Sequence, residues 1–430
     1  GSLRPVLLAL GMPLKRYLWH TLKANDMKIA VIGGGAAGFF AALSAKEHHP
    51  NAGVTLFEKS SKVLSKVRVS GGGRCNVTHA CFDKDALIKN YPRGEKFLKK
   101  SFHQFEVKDT IDWFTQRGVA LKTEKDNRMF PTSDNSQSII DVLTTAYEQL
   151  GGVLKTQSSI TQLIPRDSGF DLVINGETLF FDKVIVATGG SPKEEGLDWL
   201  KALGHSIEKP VPSLFTFNLP KHPITALMGT VAPHAKVRIE GEKLTTTGPL
   251  LITHWGMSGP AILKLSAFSA RLLAERQYAT SFVVSWLGEH TEDQVRDLFQ
   301  DQINQKPMAQ LSTFRMPEVP KRLWLYLLEK LEIPSDKRWN EFSKKHRNQL
   351  LNALLYDRYD LRGKTTFKEE FVTCGGVSLS DVDAHTLESK RRPGLYFAGE
   401  VLDIDGVTGG FNFQAAWTTG FIAGKLESKA

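Results

Sequence analysis

The sequence predicts an α/β protein: a nucleotide-binding parallel sheet assembled from two distant stretches of chain, with a β-rich and then helical insert between them. Three observations carry this. Residues 27–38, MKIAVIGGGAAG, join a run of apolar strand residues to Gly33-x-Gly35-x-x-Gly38 and an alanine-rich helix. Residues 183–190 and 394–400 are further short apolar strands that end in small residues, Ala187-Thr188-Gly189-Gly190 and Ala398-Gly399-Glu400. Between about 212 and 369 the pattern changes to short strand-like runs followed by helical periodicity.

Each glycine of the first turn has a physical task. Gly33 permits the tight turn, Gly35 lets a pyrophosphate approach the backbone, and Gly38 lets the helix pack closely on the strand. The helix then presents unpaired N–H groups and a partial positive charge to an anion. A second strand, Val54 to Phe57, ends in Glu58, twenty residues past Gly38, where a carboxylate accepts from ribose hydroxyls.

A second glycine cluster follows, Ser70-Gly71-Gly72-Gly73-Arg74-Cys75-Asn76-Val77-Thr78. It is expected to be a loop whose free amides line a ligand, with Arg74 offering a planar donor fork and Asn76 both donor and acceptor; the alternative is a flexible surface loop. Residues 92–118 read as two short helices whose aromatics, Phe97, Phe102, Phe105, Trp113 and Phe114, belong to the core. Residues 128–133 are expected to form a turn, after which Asp134 or Ser136 caps a helix to about Leu150. Alternating segments near 153–154, 160–164, 170–174 and 178–181 suggest a small antiparallel sheet.

Within the insert, strand-like runs at 214–219, 236–239 and 281–286 precede helical patterns at 292–305, 320–331 and 339–356. The last sixty residues return to nucleotide-domain style. Gly399-Glu400 places a carboxylate near the hydroxylated linker of a dinucleotide, and Gly409-Gly410-Phe411-Asn412 opens a small-residue helix running to Gly424. A helix N-terminus there stabilises the anionic N1–C2 region of a reduced flavin. The pairing of GxGxxG with this C-terminal segment favours flavin, because a nicotinamide-binding domain makes no comparable demand on the end of the chain.

Composition narrows the classes. At 430 residues and 41% hydrophobic, the chain is long enough for two or three domains, and no apolar run approaches the ~20 residues of a membrane span. The net charge of +9 attracts anions, but Lys and Arg are scattered, which favours a diffuse basic surface over a nucleic-acid groove. Three cysteines without C-x-x-C argue for a reducing, cytoplasmic setting rather than a disulfide framework. Twelve histidines without H-x-x-x-H spacing suggest no metal site, and His48-His49 reads as a solvated helix end. Residues 1–26 are expected to be an extension or tag outside the fold: either a weak transit-like segment, with Arg4, Lys15, Arg16 and Lys23 ahead of the first acid Asp26, or the product of an upstream start, with Met27 as the functional first residue.

The motifs GGGAAG, SGGGRCNVT, THWGMSGPAIL, VTCGGVSL and GLYFAGEVLDIDGVTGGFNFQAAWTTGFIAG resemble those of the bacterial HI0933-like, BaiN-like NAD(P)/FAD-dependent oxidoreductases, from Met27 to the C-terminus. The resemblance implies a Rossmann-like FAD-binding fold of the two-dinucleotide-binding-domain type, interrupted by a β-barrel-like insert with a helical portion. The expected division is a first FAD-binding part at 27–211, the insert at 212–369 with its helical subdomain at about 290–356, and a second FAD-binding part at 370–430. It also implies FAD contacts from Gly33, Gly35, Ala36, Ala37, Gly38, Glu58, Lys59, Arg74, Asn76, Ala187, Thr188, Gly189, Gly399, Glu400, Asp403, Gly410, Phe411 and Asn412. Members of the family include reductases of conjugated enones and amine or aminoketone oxidases, acting on small organic substrates.

The chain has no second GxGxxG, so NAD(P)H is expected to visit the flavin transiently, or oxygen to serve as oxidant. His254, in the loop expected to roof the flavin, is the acid/base candidate; the alternative is that it only hydrogen-bonds within a packed loop. Cys75 reads as a buried small residue rather than a covalent flavin anchor. Two rival classes stand beside the oxidoreductase: an FAD-containing RNA-binding or RNA-modifying protein, and a binding module in which FAD is structural.

Overall fold

The structure is a computed structural model that describes residues 27–314, 318–365 and 372–428. The expected extension at 1–26 lies outside the described residues. At the centre is a parallel sheet in the order Leu395–Phe397, Lys183–Val186, Lys28–Ile32, Gly53–Phe57, Val153–Lys155. Its three middle strands are almost continuously apolar and buried, because helices and loops cover both faces.

Several local expectations change. Val153–Lys155 extends the parallel sheet beside Gly53–Phe57; the antiparallel sheet consists of Ile160–Arg166, Gly169–Ile174 and Glu177–Phe181. Three residues carry too little pattern to announce their neighbour. Arg128–Pro131 is a strand, not a turn, and lies between Thr78–His79 and Leu121–Thr123. Its proline occupies the last position, where a missing N–H costs least. The following helix, Gln137–Gln149, starts after Ser136, while Asp134 pairs with Lys122 and Arg74. Residues 65–73 are helical with a break at Ser70–Gly72, so the second glycine cluster is only partly an open loop.

The two distant pieces of the nucleotide-binding part meet through a close helix pair. Helix Ala36–His48 packs on helix Phe411–Gly424, and Cβ atoms added at Gly420 and Gly424 would lie 2.6 Å from Ala37 O and 2.4 Å from Ala41 O. Only hydrogen at those positions lets the two backbones approach. Ser44 Oγ donates to Phe421 O at 2.6 Å, and the His49 ring bonds to Lys425 O, so the histidine pair ties the helix ends together as well as facing solvent. Trp417 Nε1 donates to Val77 O, and Tyr91 Oη donates to Phe411 O.

The insert is an antiparallel sheet in the order Asp357–Arg362, Ala279–Ser285, Val231–Ile239, Thr245–Ile252, Gly256–Ser258, Thr216–Asn218, Lys364–Thr365. The first and last strands are separated in sequence only by Gly363, whose carbonyl accepts from Asn218 N. The chain therefore steps from one edge of the sheet to the other, rolling it into a barrel and leaving little open edge. Helices Glu292–Gln305, Lys321–Lys330 and Lys344–Leu355 share an apolar cluster with the barrel, anchored by Trp286, Trp324 and Trp339. Residues 339–341 form a separate 3₁₀ turn before the last of these helices.

A buried clasp joins the parts. Arg93 forms a two-pronged ion pair with Asp405 and donates to Ala267 O, while Ser213 Oγ donates to Asp405. Asp405 is 0% exposed. One carboxylate thus links the first nucleotide-binding segment, the last one and the insert.

Candidate dinucleotide and substrate site

A cavity of ≈ 780 Å³ lies where the glycine turns of the parallel sheet face the barrel. That size is typical of small-molecule and cofactor sites. Its floor is backbone. Gly33, Gly35, Ala36 and Ala37 line it, and a Cβ on Gly35 would meet no atom within 4 Å because it would project into the cavity. The helix that starts there has no acidic residue in its first turn and no side-chain cap, so its first amides remain available to an anion. Gly38 does not touch the cavity. A Cβ on it would sit 1.8 Å from Gly33 O, so it serves the close packing of helix on turn.

Glu58 and Lys59 line the next part of the floor. The Glu58 carboxylate is held at 2.8 Å by Gly34 N and at 2.8 Å by Ser60 N, which leaves lone pairs for a ribose. A smaller adjoining cavity of ≈ 300 Å³ shares Gly33, Glu58, Lys59 and Thr188 and adds Ile160, Gln162 and Trp199. Those three carried no recognisable motif, since they come from an ordinary antiparallel strand and a short helix.

Ala187, Thr188, Gly189, Gly399 and Glu400 line the middle of the main cavity. Glu400 accepts from Lys66 Nζ at 2.7 Å and from Thr373 N at 2.8 Å. At the far end are Asn76, Gly409, Gly410 and Asn412. Asn412 exchanges two hydrogen bonds with the Gly406 backbone and so fixes the turn. The Asn76 amide, oriented with its nitrogen toward Thr78 O, accepts from Gly410 N at 3.0 Å. Gly410 adopts φ +99°, and any Cβ there would lie 2.5 Å from Thr78 O.

Other expected residues lie off the cavity lining. Phe411 is buried with His79 stacked on it at 4.5 Å. Arg74 sits 3.9 Å over the Phe130 ring and pairs with Glu124 and Asp134, holding the glycine cluster from behind. Asp403 pairs with Arg271, and burial pushes its carboxyl up. His254 is exposed, its ring 3.9 Å from that of Trp255 in the turn between two barrel strands. Cys75 is fully buried, and burial pushes its thiol up to about 12, leaving no reactive thiolate. Among the described residues, no group of three or more His, Cys, Asp or Glu side chains is arranged to hold a metal ion.

The roof comes from the insert: Thr216, Ser258 and Thr365 on barrel strands, Leu214 in the connection before Thr216 and Leu263 on helix Pro260–Phe268, with Arg128 at the side. None of these six carries a ligand-binding signal of its own in the sequence. Ser258 and Leu263 lie within THWGMSGPAIL, the motif that also holds the exposed His254.

Glycine turns at the ends of parallel strands, a carboxylate after the second strand and a C-terminal helix closing the cradle define a Rossmann-type FAD-dependent oxidoreductase. The HI0933-like protein Rossmann domain family matches residues 27–426, and the chain belongs to that family. It is 28% identical over 410 residues to a 3-dehydro-bile acid delta(4,6)-reductase of Clostridium scindens, covering 94% of this chain and 99% of the relative. It is likewise 28% identical over 405 residues to a ribosomal RNA dihydrouridine synthase of Escherichia coli, covering 90% and 95%. Among solved structures, the 3-ketosteroid delta1-dehydrogenase of Sterolibacterium denitrificans shares the fold, with a TM-score of 0.50 at 13% identity over 93% of this chain and 99% of that one. Among the described residues, no helix is long and apolar enough to cross a membrane.

Proposed function

We propose that this protein reduces a carbon–carbon double bond conjugated to a carbonyl, using bound FAD and a transiently bound NAD(P)H. The observation that carries this reading is a cavity that combines a backbone floor suited to a dinucleotide with an apolar, hydroxyl-bearing roof supplied by the 212–369 insert. The relatives' chemistry supports it. A delta(4,6) bile acid with a 3-ketone and a uridine both present a double bond conjugated to a carbonyl, and both named activities add hydrogen across it.

The floor residues fit the cofactor. Gly33, Gly35, Ala36 and Ala37 would receive the pyrophosphate, Glu58 the ribose, and the Gly409–Asn412 turn the redox end. FAD, when bound, supplies the hydride and collects electrons from the reductant. The chain's own contribution is to bind, to orient and to exclude water. Phe411, Arg74, Asp403 and Gly38 act from behind the lining by fixing the turns that form it. His254 acts within its surface loop rather than in the reaction.

A second reading, uridine in RNA as the substrate, is favoured by the net charge of +9 and by the Escherichia coli relative. An anaerobic titration separates the alternatives. Flavin bleached by NADPH and then reoxidised by an enone supports the reductase. Reoxidation by a ribosomal RNA fragment alone supports the second reading, and bleaching by amines would replace both with an oxidase.

A further inference from the structure

Thr216, Ser258 and Thr365 form a row across three neighbouring antiparallel strands of the roof. Thr216 pairs directly with Thr365, and the register that pairs Phe217 with Met257 places Thr216 opposite Ser258. Successive strand residues face opposite sides, so Phe217 and Met257 enter the barrel core, each 0% exposed, while all three hydroxyl residues face the cavity. Leu214 and Leu263 make the rest of this wall apolar. A wall that only had to cover a flat ring would be built from apolar side chains, so a hydroxyl row within it marks a polar group on the ligand.

The hydrogen bonds give the row a direction. Thr216 Oγ1 donates to Ser258 Oγ at 3.0 Å, and Thr365 Oγ1 donates to Asn218 Oδ1 at 2.9 Å. Each hydroxyl has one proton to give. Ser258, having accepted from Thr216, keeps its own proton for an acceptor in the cavity. Thr216 is 3% exposed, so it acts on the ligand through Ser258 and locks that hydroxyl in place.

We propose that Ser258 is the hydrogen-bond donor that receives the substrate's conjugated carbonyl oxygen, with Thr216 as its positioning residue. This rests on the reductase reading. The carbon distant from the carbonyl takes a hydride from the reduced flavin, which is thereby oxidised by two electrons. The double-bond electron pair shifts so that negative charge collects on the carbonyl oxygen, where the Ser258 hydroxyl stabilises it. The carbon next to the carbonyl then takes one proton from water, and the saturated ketone leaves. A donor aimed at a developing oxyanion contributes about 10²–10³-fold in rate.

The test is to mix dithionite-reduced holoenzyme anaerobically with cyclohexenone or testosterone and follow flavin reoxidation, and separately to measure binding of para-nitrophenolate, an enolate mimic, to oxidised holoenzyme by calorimetry. Ser258→Ala is expected to slow reoxidation by about 10²–10³-fold and to weaken phenolate binding by about 10–100-fold. Thr216→Val keeps the shape and is expected to lose part of both effects, with Thr216→Ser restoring them; it carries the test if Ser258→Ala fails to take up FAD. Wild-type rates and phenolate affinity in Ser258→Ala would overturn the assignment while leaving the reductase reading standing. Failure of both enones to reoxidise the wild-type protein would instead remove the reductase reading, and this assignment with it.

Discussion

The floor and the roof of the cavity are built on opposite principles. The floor is main chain: glycines at turns, amides of a helix start, and side chains such as Asn76 and Asn412 that bond to backbone to hold those turns. The roof is side chain, with hydroxyls projecting from barrel strands and leucines from the segments flanking them, and the barrel's own core is separate from that of the parallel sheet. Main-chain recognition suits a ligand that never changes. Side-chain recognition can be altered one residue at a time, which suits a family whose relatives act on a bile acid and on ribosomal RNA.

The sharpest way to break this contrast is at Gly38. Gly38→Val forces a side chain into Gly33 O, where even a Cβ would stand at 1.8 Å. The variant is expected to purify without flavin absorbance and to lose about 1–3 kcal/mol of stability to overpacking. Normal FAD content would show that the floor is more plastic than a main-chain cradle should be. Next comes the clasp that holds floor and roof together. Asp405→Ala leaves Arg93 buried beside Ala267 O without its partner, and unfolding free energy is expected to fall by about 3–5 kcal/mol in chemical denaturation.

Acid is expected to soften the two regions unequally. Burial lowers the affinity of His79 and His205 for a proton on the floor side, and of His222 in the insert. Unfolding frees each to bind a proton at its ordinary pKa of about 6.5. The stabilisation from keeping them neutral is therefore full above about pH 6.5 and is lost as the pH falls below it. Thermal midpoints followed by flavin fluorescence should drop between neutral pH and about pH 5, with FAD released before the barrel melts. The smallest effect is expected at His254. His254→Ala should leave both flavin half-reactions within about twofold, the range of a surface substitution, and a larger loss would return that loop to the chemistry.

The same contrast explains what could be read from the sequence. Gly33, Gly35, Gly38 and Gly399-Glu400 were legible because the constraints on them are local, and a tight turn or a close helix leaves few residue choices. The C-terminal helix was legible from its run of small residues to Gly424. Thr216, Ser258 and Thr365 were not. They sit on strands of two or three residues, too short for alternation to reveal which face meets the cavity, and their role exists only once Gly363 has rolled the sheet up. His254 stands out in the sequence as a titratable side chain in a distinctive motif, whereas the cavity-lining residue of that motif, Ser258, lies four positions on and carries no such signal. Val153–Lys155 reads as antiparallel but pairs in parallel for a related reason, since a parallel edge strand is defined by its neighbour rather than by its own residues.

The contact of Ser44 with Phe421 spans 377 positions of the chain. During synthesis, the GxGxxG turn leaves the ribosome long before the helix that completes its cradle has been translated. Coenzyme capture must then wait until residues 411–424 have emerged and docked, so a stalled or prematurely terminated product would be colourless however well its earlier strands had folded. Loading with FAD would then report that translation had passed residues 411–424.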